Sequence, residues 1–147
     1  MDATDIALLK WLQEDGRMTV SELSKKLSLS RPSISERLLR LQEKGVIEGF
    51  SAKVSPAAVG RSTVLMIQMS ELKLSYHDFE QKMIADPDII ECHRVTGTVD
   101  YIMKAAVGGV DGLSLLVERL MLYGSPHTSV IIGSPVAGRP ILPREKK

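Results

Sequence analysis

Residues 19–45 read TVSELSKKLSLSRPSISERLLRLQEKG, and the fold of the N-terminal half depends on this stretch. Thr19 is a good N-cap for a short helix whose apolar residues recur on one face. Only residues 28–30 separate that helix from the next, which leaves room for nothing longer than a tight turn. The second helix has its own apolar stripe and is ended by Gly45. The stretch therefore predicts two short helices joined by a tight turn.

The start of the second of these helices has two readings. Pro32 is tolerated only in the first turn of a helix, which places the start close to Ser30. Ser33 and Glu36 have the spacing of a capping box, which would place the start later. The two starts differ by about one turn, and the sequence leaves both open.

The flanking residues extend the pattern on both sides. Upstream, Ile6, Leu9 and Leu12 recur at helical spacing before a stop at Asp15-Gly16. Three short helices with a tight turn between the last two are what a helix-turn-helix unit requires. Downstream, residues 46–54 read as strand, turn and strand, which predicts a small wing.

The outer face of the third helix is polar and basic. Between Lys25 and Lys44 there are six basic and two acidic residues, a net charge of +4, whereas the whole chain carries only +1. Arginine and serine suit guanine edges and phosphates in a major groove about 12 Å wide. Arg40 and Arg37 are the first choices for DNA contact, with Ser33 and Ser35 next. If Arg40 grips a guanine edge, its replacement by Ala weakens DNA binding by about 1–3 kcal/mol. The full set predicted to bind DNA is Ser30, Arg31, Pro32, Ser33, Ser35, Glu36, Arg37 and Arg40. The alternative is a three-helix packing unit with a solvated outer face.

From residue 62 onward, β-rich runs alternate with two amphipathic helices. Strands are expected at 63–69, 89–95, 101–107 and 128–132, and helices around 76–83 and 110–121. The order strand–helix–strand–strand–helix–strand is the ferredoxin-like βαββαβ arrangement, an α+β fold. The predicted divisions are a DNA-binding domain at 1–54, a linker at 55–61, a sheet domain at 62–133 and an extended or mobile tail at 134–147.

Residues 96–100, Thr-Gly-Thr-Val-Asp, form the connection between two predicted strands. Gly97 permits an unusual backbone conformation and the close approach of a ligand carboxylate to backbone N–H groups. Asp100 could receive an ammonium group, so the turn suits a free amino acid. The alternative is that both are ordinary turn residues and Asp100 caps the hairpin.

Other chemistries find little support in the sequence. Cys92 is the only cysteine and reads as a buried apolar residue, and the three histidines lack metal-ligand spacing. No apolar run has the roughly 18 residues that a membrane-spanning helix needs. We therefore expect a cytoplasmic, nucleoid-associated protein that is not an enzyme and has no metal site, cofactor or membrane partner.

Several short motifs in order resemble the Lrp/AsnC family of prokaryotic regulators, the leucine-responsive or feast/famine group. The motifs are Asp5-Ile6 with Leu9 and Leu12, residues 15–19, Glu22-Leu23, Leu29-Ser30, Arg37-Leu38, Leu41, residues 45–49 and residues 95–101, the last similar to the family's Gly-x-x-Asp-Tyr signature. The resemblance covers about residues 2 to 133. It implies a winged helix-turn-helix followed by a ferredoxin-like effector-binding and assembly domain. It also implies dimers built through the C-terminal sheets, commonly gathered into octamers.

The resemblance further implies an amino-acid effector held between subunits. The residues it assigns to that site are Gly97, Thr98, Val99, Asp100, Tyr101, Thr128, Ser129 and Val130. The leading hypothesis is a sequence-specific DNA-binding transcriptional regulator whose homo-oligomer binds double-stranded DNA and responds to that effector. The alternatives are a ligand-sensing assembly module, or a small ferredoxin-like enzyme, without specific DNA binding.

Overall fold

The computed structural model describes residues 1–144, and these form two compact units. The first unit contains Met1–Ala52 together with the chain from Val136 onward, and the second contains Lys53–Pro135. The last three residues of the tail, 145–147, lie outside the described residues. The chain therefore passes between the two units twice, once after Ala52 and once before Val136.

The first unit is built from three helices around a small core. Its helices are α1 Ala3–Glu14, α2 Val20–Leu27 and α3 Arg31–Glu43. One fully buried side chain from each helix, Leu8, Leu23 and Ile34, forms the centre of the core. Because so few side chains are fully buried, caps and ion pairs contribute a large share of what fixes the helices in place.

The tight turn between α2 and α3 is held by side chains that the sequence provides locally. Ser28 adopts a left-handed backbone conformation with φ +53°, and Ser24 bonds through both its carbonyl and its hydroxyl to the main chain of Leu29. Ser30 then caps α3, because its hydroxyl accepts a hydrogen bond from the N–H of Ser33 at 3.3 Å. Of the two starts that the sequence left open, the structure has the earlier one.

The expected strand–turn–strand at residues 46–54 is wrong, because the structure places no strand in that segment. The N–H groups of Val46 and Ile47 both donate to the carbonyl of Leu41, at 2.9 and 3.1 Å. These bonds turn the chain back onto the end of α3 through Gly45, whose φ is +66°. The first half of the apolar run therefore closes a helix and is not available to pair as a strand.

The second unit is a four-stranded antiparallel sheet with two helices. Its elements are β1 Thr63–Ser70, α4 Tyr76–Ala85, β2 Ile89–Arg94, β3 Tyr101–Val107, α5 Gly109–Met121 and β4 Ser125–Val130. The strand order β2-β3-β1-β4 confirms the predicted ferredoxin-like arrangement and the α+β class. A short 3₁₀ turn at Ala57–Val59 precedes the first strand. β4 starts three residues earlier than expected, since Ser125 pairs with Ser70 at the end of β1.

One face of the sheet carries the core of this unit. Leu65, Ile67 and Met69 alternate along β1 and are fully buried, packing in one cluster with Phe79 of α4 and Leu116 of α5. The intervening residues of β1 point to the opposite face, where Met66 is exposed. The sheet therefore has one covered face and one open face.

A network of charged side chains joins the segment before β1, the connection between α4 and β2, and helix α5. The Arg61 guanidinium donates to the carbonyl of Ala106 at 2.9 Å and to the Asp88 carboxylate at 3.0 Å. Arg119 bonds the same Asp88 and also Asp86. Burial alone would lower the pKa of Arg119, but the bonds to Asp88 and Asp86 outweigh burial and raise it, so the side chain stays charged.

Among the described residues, no helix combines the length and hydropathy needed to cross a bilayer. Within the same residues, no cluster of histidine, cysteine and acidic side chains has the make-up of a metal site. Cys92 is half-buried, and its burial and the charge of Glu80 raise the pKa of its thiol. The raised pKa favours the protonated thiol, which is a weaker nucleophile than the thiolate.

Candidate DNA-binding and effector sites

The exposed face of α3 is its most polar surface. Arg31, Ser35 and Leu39 lie four residues apart and are all exposed, so they form one stripe along the helix. Of the other residues predicted to contact DNA, Ser30, Pro32, Glu36 and Arg40 are exposed, and Ser33 and Arg37 are half-buried. The stripe starts at the N-terminal end of the helix, the end that helix-turn-helix proteins present to base edges.

Leu39 is a residue that the sequence interpretation missed. Its side chain is 56% exposed, although leucines elsewhere on α3 face the core. A leucine in this position can contact the methyl group of thymine in the major groove. The signal was available, because Leu39 lies outside the Ile34, Leu38 and Leu41 stripe.

The two arginines that were first choices for DNA contact both reach back to α1. The Arg37 Nη1 atom lies 2.7 Å from the Asp2 carboxylate and 2.7 Å from the Asp5 carboxylate. Arg40 Nη2 lies 3.3 Å from Asp5, and 44% of its side chain is exposed. Only 23% of the Arg37 side chain and 4% of the Asp5 side chain are exposed. Arg37 is therefore engaged within the protein, whereas Arg40 retains an accessible surface.

The charges of this cluster stabilise one another. The pKa of Asp2 is lowered by a hydrogen bond from the Asp5 backbone N–H and by Arg37. For Asp5, burial acts to raise the pKa, but the bonds from Arg37 and from the Asp2 N–H outweigh it and lower the pKa. The pKa of Arg37 is raised by its bonds to both carboxylates. All three groups are consequently charged at neutral pH, and the cluster fixes α3 on α1.

The turn at residues 95–100 presents the second candidate site. Gly97 has φ +120°, a conformation in which any side chain would be strained. The turn is anchored by two main-chain hydrogen bonds. The N–H of Asp100 donates to the carbonyl of Met69 at 2.8 Å, and the N–H of Val95 donates to the carbonyl of Asp100 at 3.1 Å. Within residues 1–144, the N–H groups of residues 96–99 donate to no main-chain carbonyl. The turn thus offers donors and a carboxylate on a fixed backbone.

Side chains connect this turn to helix α4. The Asp100 carboxylate accepts a hydrogen bond from the Tyr76 hydroxyl at 3.2 Å, and the Arg94 guanidinium lies over the Tyr76 ring at 5.3 Å. The Tyr101 hydroxyl donates to Glu80 at 2.6 Å. A cavity of about 430 Å³ between α4 and β2 is lined in part by Glu80, Arg94 and Tyr101. The turn is therefore linked to this cavity through Tyr76, which contacts both Asp100 and Arg94.

The predicted effector residues do not form one cluster within a single chain. Tyr101 is 1% exposed and packs against Phe79, so its ring belongs to the core; burial and the bond to Glu80 raise the pKa of its hydroxyl. Thr128, Ser129 and Val130 lie on β4, which β1 separates from β3. Gly97, Thr98, Val99 and Asp100 remain together at the turn.

Comparison with known domain families gives two matches, one at each end of the chain. Residues 1–48 match a family described as winged helix-turn-helix DNA-binding. Residues 62–141 match the family described as Lrp/AsnC ligand binding domain. Both descriptions agree with the elements observed, except that residues 46–54 form no strand pair here.

Whole-chain relatives match over nearly their full length. The chain is 37% identical to the HTH-type transcriptional regulator YezC of Bacillus subtilis, over 91% of this chain and 95% of the relative. It is 34% identical to the HTH-type transcriptional regulator FL11 of Pyrococcus furiosus, over 90% of this chain and 89% of the relative. A crystal structure of a Neisseria meningitidis transcriptional regulator in complex with L-Met superposes with a TM-score of 0.89 at 27% identity, covering 96% of each chain.

The helix-turn-helix unit, the ligand-binding sheet domain and these relatives define a sequence-specific DNA-binding transcriptional regulator, not an enzyme. More particularly, the chain belongs to the Lrp/AsnC family.

The Asp5 cluster leads to a stability prediction. Asp5→Asn removes the charge that binds Arg37 and leaves the guanidinium with one carboxylate. We expect the free energy of unfolding of the first unit to fall by about 1–3 kcal/mol, because hydrogen bonds to charged groups contribute that much. Denaturant titration followed by Trp11 fluorescence measures the change. Asp15→Asn, at an exposed carboxylate beyond the end of α1, is the control.

The same cluster sets a pH dependence. Because the pKa values of Asp2 and Asp5 are lowered in the folded chain, their contribution is present above the ordinary aspartate pKa and disappears as the pH falls through the lowered values. The stability difference between wild type and Asp5→Asn should therefore close in acid. A difference that is absent at neutral pH would show that the ion pair contributes nothing.

Proposed function

We propose that α3 enters the major groove of DNA and reads base edges through Arg31, Ser35 and Leu39. The observation that carries this proposal is the exposed stripe that starts at the N-terminal end of α3 and runs to Leu39. Ser30 and Ser33, at the start of the helix, are placed to bind phosphates. Arg37 holds α3 on α1 through Asp5, and Arg40 contributes its exposed portion to the interface.

The proposed contact of Arg31 with DNA can be tested directly. Arg31→Ala should weaken binding to a duplex selected from a random pool by wild-type protein. The expected loss is about tenfold or more, corresponding to roughly 1–3 kcal/mol for a base contact. Lys10→Ala, which removes the same charge from an exposed site on α1, is the control. Titration by mobility shift at fixed salt measures both; equal affinity of Arg31→Ala and wild type would exclude Arg31 from the interface.

We also propose that the turn at residues 96–100 binds a free amino acid. The Asp100 carboxylate would receive the ammonium group, and the N–H groups of residues 96–99 would receive the carboxylate. The fixed backbone of this turn and the L-Met complex of the Neisseria relative support the proposal. Thr128, Ser129 and Val130 would join the site from another subunit, since within one chain they lie across β1. Ligand binding would then be coupled to assembly, and through assembly to DNA affinity.

The effector proposal predicts a loss of ligand-induced stabilisation. L-methionine at millimolar concentration should raise the melting temperature of the wild-type protein, since a ligand that binds the folded state stabilises it. Asp100→Asn retains the acceptor for Tyr76 but loses the charge, so the increase should disappear. Glu118→Gln, at an exposed carboxylate on α5, should respond like wild type. If Asp100→Asn still responds fully, the ammonium group is bound elsewhere.

We further propose that the open face of the sheet pairs with a second copy of the chain. Met66 is exposed on that face, beside the less exposed Val64 and Ile102. Such a dimer would present two α3 helices to successive major grooves, with half-sites about one helical turn apart or a multiple of it. We also propose that the dimers gather into octamers and that the protein is located inside the cell with the nucleoid.

A charge on the open face should disrupt the dimer. Met66→Glu would place a carboxylate between the two paired faces, where its desolvation is costly. We expect sedimentation at micromolar concentration to show a shift from dimer or larger species toward monomer, with an unchanged circular dichroism spectrum. Gln68→Glu, further along the same face, tests whether the centre or the edge carries the contact. A wild-type protein that sediments as a monomer would contradict the proposal.

A further inference from the structure

The C-terminal tail is bonded to the first unit by a pair of hydrogen bonds. The Gln13 side-chain amide donates from Nε2 to the carbonyl of Ile141 at 2.9 Å, and its Oε1 accepts from the Ile141 N–H at 2.8 Å. The same amide also donates to Leu9 within α1 at 3.2 Å, which orients it. A primary amide that bonds both main-chain groups of one residue imitates a neighbouring β-strand. The tail was expected to be extended or mobile, and its described part is held at Ile141.

The tail forms one wall of an apolar groove beside this anchor. The groove has a volume of about 540 Å³ and lies between α1 and the segment that follows α3. Leu9, Leu12 and Phe50 form part of its wall, and Leu142 and Pro143 line it from the tail. Leu142 is 39% exposed whereas Ile141 is 83% exposed. The tail is therefore anchored through the backbone of Ile141 and packs through the next residues.

Charge gives this contact a consequence for DNA binding. Residues 1–52 contain eight basic and eight acidic side chains, so that part of the first unit is formally neutral. The described tail from Val136 adds two exposed arginines, Arg139 and Arg144, and no acidic residue. Proteins bind DNA largely through cations that displace condensed counterions from phosphates. With the tail docked, the unit that carries α3 becomes basic.

We propose that the C-terminal tail is a component of the DNA-binding unit, held against α1 by Gln13 and supplying Arg139 and Arg144 as phosphate-binding cations. This inference rests on the proposed DNA binding by α3. The partner of α1 at this place is the chain's own tail, because the chain returns to the first unit at Val136 and its Ile141 forms both bonds to Gln13. The tail thus adds positive charge to the first unit without contacting bases.

The charge part of the proposal predicts a change in salt dependence. In the double variant Arg139→Gln, Arg144→Gln, the slope of log affinity against log salt should become less steep by about 1–2, since each phosphate contact contributes roughly 0.9. Sequence preference should not change. The double variant Lys73→Gln, Lys82→Gln removes the same charge from the second unit and is the control. Fluorescence anisotropy with a labelled duplex of random sequence, at several salt concentrations, gives the slopes.

The anchor part is tested without changing charge. Ile141→Pro removes the N–H that donates to Gln13, whereas Ile141→Ser keeps both main-chain groups and alters only an exposed side chain. Ile141→Pro should reproduce the smaller slope of the double arginine variant, and Ile141→Ser should match wild type. Hydrogen exchange of the peptide around Ile141 should be faster in Ile141→Pro and in Gln13→Ala than in wild type. Gln13 and Ile141 are both exposed, so we expect all three variants to retain the fold.

The outcomes separate this inference from the proposed function. A wild-type chain with no salt-dependent affinity for duplex DNA would overturn both. If the wild-type chain shows a steep salt dependence and Ile141→Pro leaves it unchanged, only the proposed role of the tail would be overturned. A smaller slope in both Ile141→Pro and the arginine variant, with Ile141→Ser and the lysine control unchanged, would support it.

Discussion

The position of the recognition helix depends on the nearly buried carboxylate of Asp5. Three fully buried side chains form the centre of the first unit's core, so the orientation of its helices also depends on polar contacts. Asp5 bonds Arg37 and Arg40, one turn apart on α3, and its neighbour in the α1 capping box, Asp2, bonds Arg37 a second time. A directional ion pair of this kind sets which face of α3 looks outward. The outward position of the Arg31, Ser35 and Leu39 stripe follows from that constraint.

Arginine side chains consequently lie in two different environments on one helix. Arg31 faces solvent at the start of α3, and Arg37 faces α1 near its middle. Nothing in composition or charge distinguishes the two arginines. The partner does: a carboxylate on α1 lies within 3 Å of Arg37, and DNA phosphates would have to compete with it. A regulator can thus keep a basic recognition helix rigid before it meets DNA.

The second unit combines a rigid sheet with a polar connection at its edge. Leu65 and Ile67 are locked between the helices, whereas Asp100, Tyr76 and Arg94 form a chain of contacts at the surface. An effector that binds Asp100 would compete for the Tyr76 hydroxyl and so reach α4. That coupling is local, and the sheet itself need not deform.

Much of the fold could be predicted from the sequence because it depends on local signals. The caps at Thr19 and Ser30, and the alternation along β1, each report on neighbouring residues. The strand prediction for residues 46–54 was wrong because a run of β-forming residues does not show that two of its N–H groups bond the carbonyl of Leu41. The engagement of Arg37 and the anchoring of the tail were equally hidden, since their partners lie 32 and 128 residues away in the chain.

The same limit applies to the candidate effector site. Gly97 and Asp100 are three residues apart in the chain and could be found as a pair, whereas Thr128 lies on the other side of β1 from β3. The sequence pattern therefore located the turn, and only the strand order showed that the predicted effector residues do not meet within one chain.

The most direct test of the central claim is a nuclear magnetic resonance titration of the full chain with a bound duplex, observing the arginine guanidinium signals. We expect the Arg37 signals to be protected from exchange before DNA is added and to shift little afterwards, while the Arg31 signals move strongly. A large shift at Arg37 with none at Arg31 would show that the Asp5 ion pair opens on binding. It would then be the inner arginine, not the exposed stripe, that reads DNA.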